Sequence, residues 1–124
     1  MIYSADFETT TNKDDCRVWA WALCEVGNVD NFRYGNCIDS LFEWMQKQDS
    51  LTLYFHNLKF DGEFILYWLF HHNFAFVRNR KELVDRSFTT LIGDMGQFYS
   101  ITIIFDKKNK KRVTIYDSLK ILPM

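Results

Sequence analysis

Apolar and polar residues alternate over residues 2–7, with Tyr3, Ala5 and Phe7 on one side and Ser4, Asp6 and Glu8 on the other. This period of two predicts a half-buried strand, ended by Thr9-Thr10-Thr11. Residues 17–26 form a second β-rich run closed by Gly27-Asn28, and residues 31–34 are expected as a short third strand of an antiparallel meander, broken at Gly35-Asn36. The period then changes. Ile38, Leu41, Phe42 and Met45 fall on one helical face, with Asp39 or Ser40 placed to cap its start. Residues 51–56 read as a strand, and Phe60, Phe64, Ile65, Trp68 and Leu69 mark a second amphipathic helix. Residues 88–92, 97–105 and 112–117 are expected as strands, the last two joined by the polar turn at 106–111. Three antiparallel strands, a crossover helix and a fourth strand parallel to the first match the start of the ribonuclease H-like fold at the level of topology.

Composition narrows this to one packed domain. The chain has 124 residues, 48% of them hydrophobic and 18% aromatic, enough for a single core and too little for a second. No stretch approaches the roughly 18 uninterrupted apolar residues of a membrane helix. The N-terminus is acidic where a signal peptide would be basic, so a cytoplasmic protein is expected, with no membrane partner. Cys16, Cys24 and Cys37 fit neither a zinc pattern nor a disulfide framework and are expected as buried free thiols.

The net charge of −1 conceals a division along the chain. Residues 1–77 carry five Lys/Arg against eleven Asp/Glu, a balance of −6, whereas residues 78–124 carry ten against five, a balance of +5. An acidic half beside a basic half suits a metal site next to a phosphate-binding surface, because carboxylates hold cations while Lys and Arg neutralise a strand. A solvated basic hairpin tip from Lys107 to Lys111 accounts equally well for those lysines.

Asp6 and Glu8 stand two apart on one strand face and can share a cation. Two divalent ions about 3.5 to 4 Å apart activate water and stabilise a leaving oxygen at a phosphodiester, and hard oxygen ligands suit Mg²⁺ or Mn²⁺. Asp61 supplies a third carboxylate at the opening of the second helix, where it equally suits an N-cap. Tyr54 fits a buried strand position as well as a base-stacking one, and Phe60 fits a core anchor as well as an exposed contact. His71 and His72 fit a helix end, where positive charge favours the dipole, and receive no catalytic role.

Asp6-Phe7-Glu8-Thr9-Thr10-Thr11 resembles the first 3′→5′ exonuclease motif of family B DNA polymerases, and the segment from His56 to Gly62, with Asn57 ahead of Phe60-Asp61, resembles the second. Ile115-Tyr116-Asp117-Ser118-Leu119-Lys120, followed by Leu122-Pro123, resembles the Ser-Leu single-strand-binding segment of protein-primed, phi29-like polymerases. Asp15-Cys16-Arg17-Val18-Trp19-Ala20 and Met95-Gly96-Gln97-Phe98-Tyr99 extend the likeness along the chain.

The resemblance implies an α/β, ribonuclease H-like (DnaQ-like exonuclease) fold, a mixed sheet with flanking helices, truncated at the C-terminus. Residues 1–124 would be a partial 3′→5′ exonuclease domain with the polymerase domain absent. It implies Asp6, Glu8 and Asp61 as catalytic, metal-binding carboxylates for Mg²⁺ or Mn²⁺, and Thr9, Tyr54, His56, Asn57, Phe60, Ser118 and Leu119 as contacts to a single-stranded DNA 3′ end. The family's terminal protein is an implied partner, and the bacterial host cytoplasm of a phage or prophage the implied location. The family's further motif, Tyr-x-x-x-Asp, does not follow Leu119, so a two-metal site short of one ligand is expected. An apolar sheet face left uncovered, or covered by a homo-oligomer, is expected with it. A catalytically inactive fragment that binds single-stranded DNA or a protein is the alternative.

Overall fold

The computed structural model describes residues 1–10, 15–92 and 98–118. Strand β1 (Ile2–Thr9) pairs antiparallel with β2 (Val18–Glu25), and β2 with β3 (Asn28–Gly35). The β2–β3 turn depends on Gly27, whose φ of +88° lies where side chains are strained. Helix α1 (Ile38–Met45) crosses over to β4 (Leu51–Phe55), which lies parallel to β1. Helix α2 (Leu58–His71) follows, then β5 (Ala75–Phe76), a 3-10 turn at Arg80–Glu82, and β6 (Ser87–Ile92), β7 (Phe98–Asp106) and β8 (Lys111–Asp117). Among the described residues these strands form one mixed sheet in the order β3-β2-β1-β4-β8-β7-β6-β5. The chain is thus α/β, and β4 sits centrally between parallel neighbours β1 and β8.

The two helices form a single layer on one face of the sheet. Trp68 of α2 stacks on Phe42 of α1, centroids 3.7 Å apart, and its indole N–H donates to Asp39 at 2.7 Å. Beneath them the alternate residues of the strands are buried: Tyr3, Ala5 and Phe7 of β1, Leu51, Leu53 and Phe55 of β4, Val113 and Ile115 of β8, Ile101 and Ile103 of β7. Among the described residues the opposite face carries no helix. Register makes its rows explicit: Thr52, Thr114, Thr102 and Thr89 run straight across β4, β8, β7 and β6, and the next row holds Phe32, Cys24, Ser4, Tyr54, Tyr116 and Ser100. This uncovered face mixes hydroxyl-bearing and charged positions with aromatic and aliphatic ones. Exposed large apolar side chains stand on this face at Ile2, Phe32, Tyr34 and Leu91, and a second group lies on the outer side of α2 (Phe60, Tyr67, Phe70).

Two local expectations are corrected, and a third is met only in part by the described residues. Neither Asp39 nor Ser40 caps α1, because the helix begins at Ile38, which packs on the core, and the N-cap position falls to Cys37 in extended conformation. Ser40 is used differently: its hydroxyl donates to the Cys37 carbonyl at 2.8 Å, and the Trp21 indole N–H is shared by that carbonyl and the Ser40 oxygen, 2.9 Å from each. The thiols are not buried, since Cys16 and Cys37 are exposed in connecting segments and Cys24 is half-buried on the open face. The strand expected from residue 97 is described from Phe98, and Met95, Gly96 and Gln97 lie outside the described residues.

Gly35 lies opposite Trp21, and a Cβ there would stand 2.5 Å from the indole Cε2 and Nε1. The indole is tethered by its hydrogen bonds and cannot swing away cheaply. Gly35→Ala is therefore expected to cost about 1–3 kcal/mol by overpacking, read as a lower urea midpoint with unchanged slope.

Candidate functional site

The candidate site forms where β1 outruns β4. The last register pair is Ala5 with Phe55, after which β1 continues to Thr9 while the other chain turns through His56 and Asn57 into α2. Asp6 and Glu8 project from the open face and are exposed. Directly after Glu8 the register with β2 slips, Glu8 facing Ala20 and Thr9 facing Val18, so Trp19 is the extra residue of a bulge. Such bulges end pairing and re-aim side chains beside functional sites. Thr9 is half-buried at that point.

Asp61 is delivered from the other side. The Asn57 carbonyl accepts from the N–H groups of Phe60 (3.2 Å) and Asp61 (2.9 Å), which fixes the first turn of α2. The N-cap position is thus Asn57, whose carboxamide makes no capping bond, and Asp61 lies inside the first turn instead of capping it. Its side chain is 5% exposed and accepts from the backbone N–H of Phe7. Burial is the largest influence on its carboxyl group, the Asp6 charge comes next, and Glu8 adds to both. Against the Phe7 hydrogen bond, these push its pKa from 3.8 up to about 6. A helix N-terminus favours negative charge, but here desolvation and two carboxylates win.

The Asp6 and Glu8 charges thus act on Asp61, although the sequence separates them by about half the chain. Among the described residues, no three His, Cys, Asp or Glu side chains converge closely enough to enclose an ion as they stand. Their donor chemistry nevertheless fits a hard divalent cation: all are carboxylate oxygens, two sit on exposed side chains with rotamer freedom, and the third disfavours its charge until a cation neutralises it.

Around the carboxylates the structure sorts the other expected contacts. Tyr54 is half-buried on the open face and lies against its register partner Tyr116, centroids 5.4 Å apart and planes 26° from parallel. Phe60 is 44% exposed and meets Phe64 edge-on, so it is not a core anchor. His56 and Asn57 are exposed where β4 passes into α2. Ser118, the last described residue, is half-buried after β8, and Leu119 lies outside the described residues. His71 and His72 are remote from the site, their Nδ1–H groups donating to the Tyr67 and Trp68 carbonyls as expected of a helix end.

Two residues with no individual role in the sequence reading join this surroundings. Tyr116 completes the ring pair with Tyr54, and Asp117 is a fourth acid, 4% exposed, opposite Phe55 at the end of β8. The alternation Val113, Ile115, Asp117 is the signal that places this carboxylate on the helix-covered face.

No family model matches the chain. Its sequence is 48% identical over 124 residues to the DNA polymerase of Bacillus phage B103, 42% to that of Bacillus phage phi29, and 35% over 133 residues to that of Streptococcus phage Cp-1. These matches cover 97–98% of this chain but only 21% of each relative, so the chain spans about a fifth of their length. Among solved structures, phi29 DNA polymerase complexed with primer-template DNA superimposes on 99% of the chain with a TM-score of 0.87 at 40% identity. The same polymerase complexed with single-stranded DNA gives 0.85 at 41%.

Proposed function

We propose that this chain, homologous along nearly its whole length to the N-terminal region of phi29-like phage DNA polymerases, is a metal-dependent 3′→5′ exonuclease module of the proofreading type. Its substrate is the 3′ end of single-stranded DNA. The observation that carries this reading is Asp61, buried in the first turn of α2 and electrostatically joined to Asp6 and Glu8 across the end of β1. The order β3-β2-β1-β4, with β1 and β4 parallel, supports a ribonuclease H-like core. Relatives solved with single-stranded and primer-template DNA support DNA as the ligand.

Asp6, Glu8 and Asp61 would hold Mg²⁺ or Mn²⁺, which supplies an activated water and neutralises charge at the scissile phosphodiester. The chain's own groups do the positioning. Tyr54 offers a ring whose tilt is fixed by Tyr116, and Phe60 a free aromatic face, both suited to stacking on bases regardless of identity. Thr9, His56, Asn57 and Ser118 would offer polar groups to sugar and phosphate, and Leu119, outside the described residues, would add an apolar contact by the same kinship. Sequence tolerance is what proofreading requires. The terminal protein and the bacterial cytoplasm follow from the same kinship.

The test is single-turnover digestion of a 5′-labelled oligonucleotide in Mn²⁺, set beside the double variant Asp6→Ala, Glu8→Ala. Stepwise shortening from the 3′ end that vanishes in the variant is expected. Shortening that survives the double substitution would sink the assignment. Binding without shortening would favour the second reading, a single-strand-binding module, which the absence of a closed three-ligand group among the described residues supports.

A further inference from the structure

On the open face of the sheet, well away from the carboxylates, lies a hollow lined in part by Arg78, Arg80, Thr89, Ser100 and Thr102, with the apolar Leu91 also on its wall. Thr89 is the anomaly there. It is 6% exposed, and its Oγ1 is buried with no hydrogen-bond partner among the described residues. Native structures rarely tolerate a buried hydroxyl in that state, and such a group points to a ligand, an ion or an ordered water. Neither Arg78 nor Arg80 makes an ion pair among the described residues. Glu82, the acid nearest in sequence, takes the Asn79 amide at 2.7 Å. Two unneutralised guanidinium groups thus share a hollow with an idle hydroxyl, and Thr102 and Ser100, both nearly buried, supply further hydroxyls.

We propose that this hollow binds a phosphate group of a nucleic-acid strand. Guanidinium groups and hydroxyls are donors matched to phosphate oxygens, with the guanidinium fork offering paired N–H groups. The surroundings favour a polyanion over one isolated ion. Arg80 also lines a second hollow with Lys107, Lys110 and Arg112, and Arg112 lines a third with Thr114 and Tyr116. Tyr116 stands against Tyr54, whose register partner on β1 is Ser4. Arg78, Arg80, Lys107, Lys110 and Arg112 therefore line a basic run of hollows from Thr89 on β6 to β8, and the uncharged Tyr116, Tyr54 and Ser4 continue the same face to the strand bearing Asp6 and Glu8, four strand spacings or roughly 19 Å from β6. The proposal takes the identity of the strand from the nucleic-acid reading above and does not depend on hydrolysis.

The experiment titrates the protein in EDTA with a 12-nucleotide oligothymidylate and, separately, with inorganic phosphate, following the backbone amides of Thr89, Ser100 and Thr102 by ¹H–¹⁵N NMR and oligonucleotide affinity by anisotropy. The oligonucleotide is expected to shift those amides. Arg78→Gln with Arg80→Gln should weaken it roughly tenfold and flatten the dependence of log affinity on log salt by about 1 to 2. Thr89→Val should weaken binding a few-fold, about threefold, without lowering the unfolding midpoint, because it removes an unpaired hydroxyl at nearly constant shape. Shifts from inorganic phosphate as well would show that the phosphate group alone is recognised, and shifts from the oligonucleotide only would assign the site to the strand. Unmoved amides, or an arginine double variant with the parent's affinity and salt slope, would overturn the proposal. The same titration with the Asp6→Ala, Glu8→Ala variant should still shift these amides, so loss of hydrolysis and failure of this site are separable.

Discussion

Asp61→Asn is expected to reduce metal-dependent hydrolysis at least about a thousandfold, because it removes the one buried carboxylate of the group and misplaces whatever the other two retain. The same substitution should stabilise the metal-free protein at neutral pH. The Asp61 carboxyl titrates near 6 in the folded chain and near 3.8 when unfolded. Below 3.8 it is protonated in both states and adds no pH dependence. As pH rises from about 4 to about 6 the unfolded chain releases its proton first, so folding stability falls, by about 3 kcal/mol in full. Asparagine has nothing to ionise, so urea midpoints of parent and variant should differ little at pH 4 and favour the variant at pH 7.5. Added Mn²⁺ should raise the parent's midpoint and leave the variant's nearly unchanged. A variant less stable than the parent at pH 7.5 would show Asp61 to be chiefly structural.

Phe42→Ala is expected to cost about 3–5 kcal/mol, enough to unfold a marginal domain of this size. Phe42 is fully buried, stacked on Trp68 and edge-on to Phe105 at 6.4 Å. Its removal leaves a cavity where α1, α2 and the sheet meet, and Trp68 cannot collapse into it while its indole N–H is held by Asp39. Phe60→Ala, at an exposed ring on the same layer, should cost less than about 1 kcal/mol. Chemical unfolding of the two variants compares them directly, and equal losses would refute the division between core and surface aromatics.

The sequence reading succeeded where one strand or helix carries its own period. Tyr3, Ala5 and Phe7 announce β1 and put Asp6 and Glu8 on its other face, and Leu41, Phe42 and Met45 announce α1. It fell short where packing decides. β3 spans Asn28–Gly35 although its residues are mostly exposed and show no alternation, because pairing with β2 and contacts such as Asn31 to Tyr3 and Arg33 over Trp44 hold it there. β5 and the 3-10 turn at Arg80–Glu82 have no apolar period to read. Asp61 was legible as an acid at a helix start, but its burial against Phe7 arises from a crossover that brings distant segments together. The row of threonines ending at Thr89 exists only through the register of four strands, so no single segment contains it.

The central position of β4 also has a consequence in time. During synthesis its partner β1 is already available when residues 51–55 emerge, whereas β8, which pairs with its opposite edge, is the last made of the described strands. Until then Leu-Thr-Leu-Tyr-Phe presents an open, aromatic-rich strand edge of the kind that templates association between chains. Nascent or prematurely terminated chains that stop short of β8 are thus the species most prone to aggregate. The long-range parallel pairings that β4 makes with β1 and β8 form slowly, which prolongs the exposure.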